Sequence, residues 1–148
     1  MIRHCWTVLS QSALIDTQTN LLSLFNIWEG VTSLETPSQQ RPLHLPFEIV
    51  SMWFNDEKKL ASGDAQVFIL SPDNTKSPPV MMGIEIDSIG FQRTRLTANP
   101  IGFKSFGVYN FCVEFRENAT LDWQTVASVP FMVNEQPGKI GIDNSVSP

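Results

Sequence analysis

The sequence predicts an all-β domain, an antiparallel β-sandwich of seven to eight strands. Three observations predict it. Hydrophobic residues recur with a period of two almost everywhere, which is the spacing of a half-buried strand. Clusters of Pro, Gly, Asn, Asp and Ser punctuate the chain at short intervals. No stretch carries an apolar stripe of period 3.6 over three helical turns. Strands at such spacing bury their apolar faces most simply by stacking two sheets.

The elements follow in order. "HCWTVLS" (His4–Ser10) reads as a first strand, with Trp6 and Val8 on one face and Cys5, Thr7 and Leu9 on the other. "DTQTN" (Asp16–Asn20) is a polar turn. "LLSLFNIWEGVTS" (Leu21–Ser33) has helical composition, but its Phe25, Ile27, Trp28, Val31 and Thr32 favour a strand. After the loop "ETPSQQRP" comes a long strand, "LHLPFEIVSMWF" (Leu43–Phe54). Its Pro46 stands near the start, where a missing N–H costs least. "NDEKKLASGD" is a charged turn and "AQVFILS" (Ala65–Ser71) another strand. "PDNTKSPP" is a loop, and "MMGIEID" and "GFQRTRL" are two strands or one interrupted strand. "TANPIGFKS" turns the chain into "FGVYNFCVEF", and "WQTVASVPFMV" (Trp123–Val133) closes the domain. Residues 1–134 form a single domain. The tail, residues 135–148, loses the alternation and is expected to be mobile, or tethered through Ile140 or Ile142.

The segment around Tyr109, the one tyrosine of 148 residues, is the most specific in the chain. Alternation places Tyr109, Phe111, Val113 and Phe115 on one face, which is apolar and therefore the core face. A phenol entering the core must find a partner or bear a desolvation cost. A tyrosine corner supplies one, the hydroxyl bonding backbone a few residues upstream at a sheet crossover. The upstream segment expected here is Leu96–Phe103, with Gly107 allowing a close approach. Tyr109 and Gly107 are therefore structural candidates and not catalytic ones. The pattern Gly107, Tyr109, Phe111, Val113, followed by "VPFMV", resembles the closing hairpin of small bacterial domain-of-unknown-function proteins. The opening strand Trp6–Leu9 with "NLLSLFNIWEGV" is also similar to theirs. The likeness covers about residues 3–134. It implies an immunoglobulin-like sandwich and no activity.

Composition narrows the function classes. Ten Lys and Arg stand against fifteen Asp and Glu, for a formal net charge of −5, and Lys58-Lys59 is the one adjacent basic pair. That argues against nucleic acid, which needs a cationic stripe, and against an anionic membrane surface. Cys5 and Cys112, far apart and in no ligand spacing, are expected as free thiols of a cytoplasmic protein. The N-terminus has no secretory pattern. "NAT" at Asn118–Thr120 is a formal sequon in a tight turn.

No catalytic residue, metal site or cofactor is predicted. His4 and His44 lie in no nucleophile signature, and His4 and Cys5 point to opposite faces of a strand. Glu85 and Asp87 share a face whose neighbours Ile84 and Ile86 turn inward, so they read as a solvated row. Asp56, Glu57 and Asp73 are interleaved with lysines, unlike a calcium loop. Neither phosphate-cradling glycine motif is present. Trp6, Trp28, Trp53 and Trp123 read as core, Trp123 being the best placed for an exposed sugar platform.

Two readings follow. The first is a non-enzymatic interaction module, binding a protein partner or its own copy through the first strand or the edge near "AQVFILS". The second is a small-ligand or carbohydrate binder, or less readily a hydrolase. Its site would lie between the loops "ETPSQQRP", "PDNTKSPP" and "TANPIGF".

Overall fold

The computed structural model describes residues 1–137, and among them every regular element is a strand. The order is β1 (Ile2–Ile15), β2 (Leu22–Ile27), β3 (Gly30–Ser33), β4 (Leu43–Asn55), β5 (Ala61–Leu70), β6 (Val80–Ile86), β7 (Gly90–Phe103), β8 (Gly107–Arg116) and β9 (Gln124–Glu135). They form a β-sandwich. The first sheet runs β2-β1-β4-β7 and the second β3-β9-β8-β5-β6.

There are nine strands rather than seven or eight, because the run Leu21–Ser33 is two strands in different sheets. Trp28 makes the break. Its backbone N–H donates to Leu9 C=O at 2.9 Å, and its indole N–H donates to Pro46 C=O at 2.9 Å. The ring spans the interior, 5.6 Å from Phe47 of the first sheet and 5.8 Å from Phe131 of the second. The chain then enters the second sheet at Gly30. A side chain there would lie 2.7 Å from Met132 C=O, so glycine permits the approach. β3 pairs parallel with β9, the exception to an otherwise antiparallel sandwich.

Further boundaries differ from expectation, beginning with β1, which runs from Ile2 to Ile15 rather than from His4 to Ser10. "TANPIGFKS" is not a turn as far as Phe103, because β7 stays paired with β4 from Gly90 to Phe103. The register shift between Leu45 and Phe47 accommodates Pro46 and Pro100, neither of which has an N–H to give. β5 begins at Ala61, so less of "NDEKKLASGD" is turn than expected. β9 ends at Glu135, and Gln136 N–H donates to Ser33 C=O at 3.2 Å. The expected tethers Ile140 and Ile142 fall outside the described residues.

Alternation decides the interior. Phe47, Ile49 and Trp53 of β4 meet Tyr109, Phe111, Val113 and Phe115 of β8, with Phe131 and Val133 of β9. Phe47, Phe103, Phe111 and Phe131 are at most 1% exposed, and each such ring contributes roughly 1.5–3 kcal/mol by leaving water. Polar atoms inside are matched: Trp53 donates to Thr94 Oγ1 at 3.0 Å, and Asn55 Nδ2 to the carbonyls of Lys59, Ile86 and Ser88. Among the described residues no buried side-chain N or O lacks a partner.

Tyr109 lies at the start of β8, buried, with Phe103 edge-on at 4.9 Å. Its hydroxyl donates to Ser105 C=O at 2.9 Å and accepts from Ser105 N–H at 3.2 Å, with Ser105 Oγ at 3.0 Å. The partner is Ser105 and not the segment Leu96–Phe103. β7 commits that segment to the sheet, leaving Lys104–Phe106 as the crossover. Gly107 has φ +131°, and a Cβ there would lie 2.7 Å from Pro72 Cγ.

Candidate functional site: an uncharged edge strand and a loop-end cleft

A sandwich offers partners its edges, where backbone groups are unpaired, and its loop ends. The edges are β2 and β7 in the first sheet, β3 and β6 in the second. Neither β1 nor β5, expected as edges, is one. The hairpin lays β2 outside β1, and β6 covers the free side of β5. From sequence alone, the short neighbour that covers a strand is hard to assign.

The four edges differ in how they are protected. β7 carries Arg93, Arg95 and Pro100, β3 is four residues long, and β6 holds Glu85 and follows Pro78-Pro79. Charges, prolines and shortness are the usual defences of an edge. β2, "LSLFNI", has six residues with no charge and no proline. Opposite residues of a hairpin share a face, and the pairs are Ser10–Ile27, Ser12–Phe25 and Leu14–Ser23. One face therefore shows Leu14, Phe25 and Ile27, which are 62%, 45% and 61% exposed. The other carries Ala13, Leu22 and Leu24, and Ala13 is buried.

The hairpin is held in place. Asp16 Oδ1 accepts the N–H groups of Gln18 and Thr19 at 2.8 and 2.9 Å, which holds its carboxyl below the ordinary range. From β7, Arg93 donates to Asn20 C=O at the tip, and Arg95 donates to Ala13 C=O at 3.1 Å in the stem. Arg95 also grips Glu48 at 2.8 and 3.0 Å, and Thr97 Oγ1 donates to the same carboxylate at 2.8 Å. The Arg95 bonds lower the Glu48 pKa against the opposing effect of its burial. Sequence reasoning missed these groups; the visible signal was Glu48 alone within the apolar "PFEIVSMWF".

The second feature is a cleft of about 630 Å³ between the loops "ETPSQQRP" and "PDNTKSPP" and the end of β7, within the size range of small-ligand sites. Gln39, Thr75, Lys104 and Ser105 border it, above Ile101 and Phe103. The Tyr109 hydroxyl reaches it but is already bonded to Ser105. Asp73, also on its rim, accepts from Thr75 N–H at 3.0 Å, and its pKa is lowered by those Thr75 bonds. Lys76 lies over the Phe68 ring at 4.0 Å. His44 is exposed beside Gly102.

The remaining candidates do not converge. His4 Nε2 is 2.7 Å from Thr7 Oγ1, which is 2.7 Å from Ser51 Oγ. Ser51 is buried between the sheets, so this chain of polar groups ends where no substrate reaches. Burial lowers the His4 pKa, partly offset by a hydrogen bond with the Trp6 backbone. Cys5 is exposed and Cys112 buried, both unbridged. Glu85 and Asp87 are exposed while Ile84 and Ile86 are buried. Trp123 is half-buried, with the Arg116 guanidinium over one face of its ring at 4.2 Å. Asp56 pairs with Arg3 at 3.4 Å and Glu57 with Lys59 at 3.2 Å. No helix of the described residues is long and apolar enough to cross a membrane.

Comparison with known proteins adds to the fold. No family model and no curated protein matches this chain. Among solved structures, the C-terminal domain of wzt superposes with a TM-score of 0.50 at 8% identity, covering 92% of this chain and 75% of that one. At that identity the likeness shows a shared β-sandwich and nothing finer.

Proposed function

We propose that this protein is a non-enzymatic interaction module of the cytoplasm that docks a protein segment along β2. The single observation that carries the reading is the edge strand β2: six residues without charge or proline, with Phe25 and Ile27 exposed on the same face as Leu14 of β1. An added strand takes its affinity from main-chain hydrogen bonds and its specificity from alternate side chains. The arginine contacts to Ala13 and Asn20 hold the hairpin in place before a partner arrives, which lowers the ordering cost of binding. The two unbridged thiols support a reducing compartment. The Tyr109 corner supports the immunoglobulin-like label.

The test is site-specific photo-crosslinking in the native cell, with the crosslinker at Ser23 on β2 and, as control, at Phe91 on β7. Adducts formed from Ser23 and abolished by Phe25→Lys are expected. Equal adducts from both edges, or none from Ser23, would reject the reading. The second reading, a small-ligand or carbohydrate site, is favoured by the position of the 630 Å³ cleft between "ETPSQQRP", "PDNTKSPP" and the end of β7.

A further inference from the structure

We infer that the loop-end cleft binds a small hydroxylated organic anion, a carboxylate or phosphate ester of sugar size. The inference rests on the cleft reading above and names its ligand class; it is independent of the β2 edge. Charge placement carries it. The formal net charge of −5 is unevenly spread over the two ends of the sandwich. At the end away from the cleft, the connections 56–60, 87–89 and 117–123 hold Asp56, Glu57, Asp87, Glu117 and Asp122 against Lys58 and Lys59. At the cleft end the balance reverses, with Arg41, Lys76 and Lys104 against Glu35 and Asp73. Glu35 belongs to the far border of the second sheet, where its carbonyl accepts from the Ser33 hydroxyl at 2.7 Å and Glu135 is paired with Ser33. Among the described residues, Asp73 is the one acid lining the cleft.

The cations at this end are also uncommitted. Arg3, Lys59, Arg95 and Arg116 each hold an acid, and Arg93 donates to Asn20 C=O. Among the described residues, Arg41, Lys58, Lys76 and Lys104 have no acid within ion-pair reach, and all but Lys58 lie at the cleft end. Lys104 and Lys76 line the cleft, and the place of the Lys76 ammonium over the Phe68 ring leaves its charge intact. Arg41 precedes Pro42, which lies against Gly102 in the cleft wall. Lys104 stands next to Ser105, whose backbone and hydroxyl are tied to the Tyr109 hydroxyl. The corner thus presents that cation from a fixed backbone, which lowers the ordering cost of binding. Cations around a cleft floored by Ile101 and Phe103 focus the field on an entering anion. They are too few for nucleic acid, which needs a stripe of them, but suit a ligand of one or two negative charges. Ligand hydroxyls would meet Gln39, Ser71 and Asp73, whose carboxylate takes Thr75 N–H at 3.0 Å and keeps lone pairs to spare.

The test is titration calorimetry of the full chain with glucuronate, glycerophosphate and neutral glucose at millimolar concentrations. The anions should bind, and glucose should bind about tenfold more weakly or worse. Binding of one anion alone would tell a carboxylate site from a phosphate-ester site. Lys104→Gln should weaken the anions by about tenfold, the effect of one lost charge-assisted hydrogen bond. It should keep the wild-type urea midpoint, because Lys104 is exposed. Lys58→Gln, at the other end, should leave binding unchanged. Anion binding indifferent to both Lys104→Gln and Lys76→Gln, or equally weakened by Lys58→Gln, overturns the inference. Glucose bound as tightly as glucuronate, and lost in the cleft-filling Ser71→Trp, refutes the anion and leaves the cleft reading standing. No binding of any of the three refutes both.

Discussion

Replacing Tyr109 with Phe isolates one phenolic oxygen from a ring whose packing stays in place. The ring keeps its edge contact with Phe103, so no cavity forms. What is lost is the donation to Ser105 C=O at 2.9 Å and the acceptance from Ser105 N–H at 3.2 Å. Each ordinary hydrogen bond is worth about 0.5–1.5 kcal/mol net, which sets the range at roughly 1–3 kcal/mol. Ser105 is exposed, so water can reach its freed groups, and the cost falls at the lower end, about 1–1.5 kcal/mol. With a urea slope of about 1–3 kcal/mol/M for a small domain, the midpoint should drop by roughly 0.3–1.5 M. Equilibrium urea denaturation followed by tryptophan fluorescence measures it. A midpoint unchanged within error would mean that the corner contributes nothing, and that β8 is fixed by its neighbours alone.

Two other expectations concern titration and reactivity. Burial lowers the His4 pKa below that of the unfolded chain, so on acidification the unfolded state takes up the proton first. Stability should be full above about pH 6.5 and decline as the pH falls through the folded value, and His4→Gln should flatten that slope in urea titrations. The carboxylates with lowered values, such as Glu48, begin to lose their contribution only as the pH falls below their unfolded value. Cys5 is exposed and Cys112 buried, so a thiol reagent should modify one sulfur promptly and the second only in denaturant. Prompt reaction of both would show that β8 opens readily in the native state.

Much of the sandwich was legible because strand faces are written as alternation. Tyr109, Phe111, Val113 and Phe115 are all buried, and Glu85 and Asp87 both exposed, as period two requires. The order of strands across a sheet was not legible, since alternation names the buried face of a strand but not its lateral neighbour. That is why β1 and β5 were mistaken for edges. Trp28 could not be read as a crossing point, because its role depends on Phe47 and Phe131, distant in sequence. The loop-end cleft was legible in part: two of its walls are the polar loops "ETPSQQRP" and "PDNTKSPP", while the third, expected as a loop, is the end of β7. The arginine grip on the hairpin was not, since Arg95 meets Ala13 across 82 residues of chain.

The parallel pairing of β3 with β9 bears on how the chain is made. Gly30 is paired with Met132, so a residue made early in the domain waits for the closing strand before its own backbone is satisfied. Until then the second sheet lacks its border, and Trp28, the bolt between the layers, has no Phe131 to close upon. Such distant pairings make folding slow compared with helical bundles of similar size. The half-made chain would meanwhile hold β2 exposed and unbraced, since Arg93 and Arg95 are themselves synthesised late. The uncharged edge strand is thus made well before the arginines that fasten its hairpin.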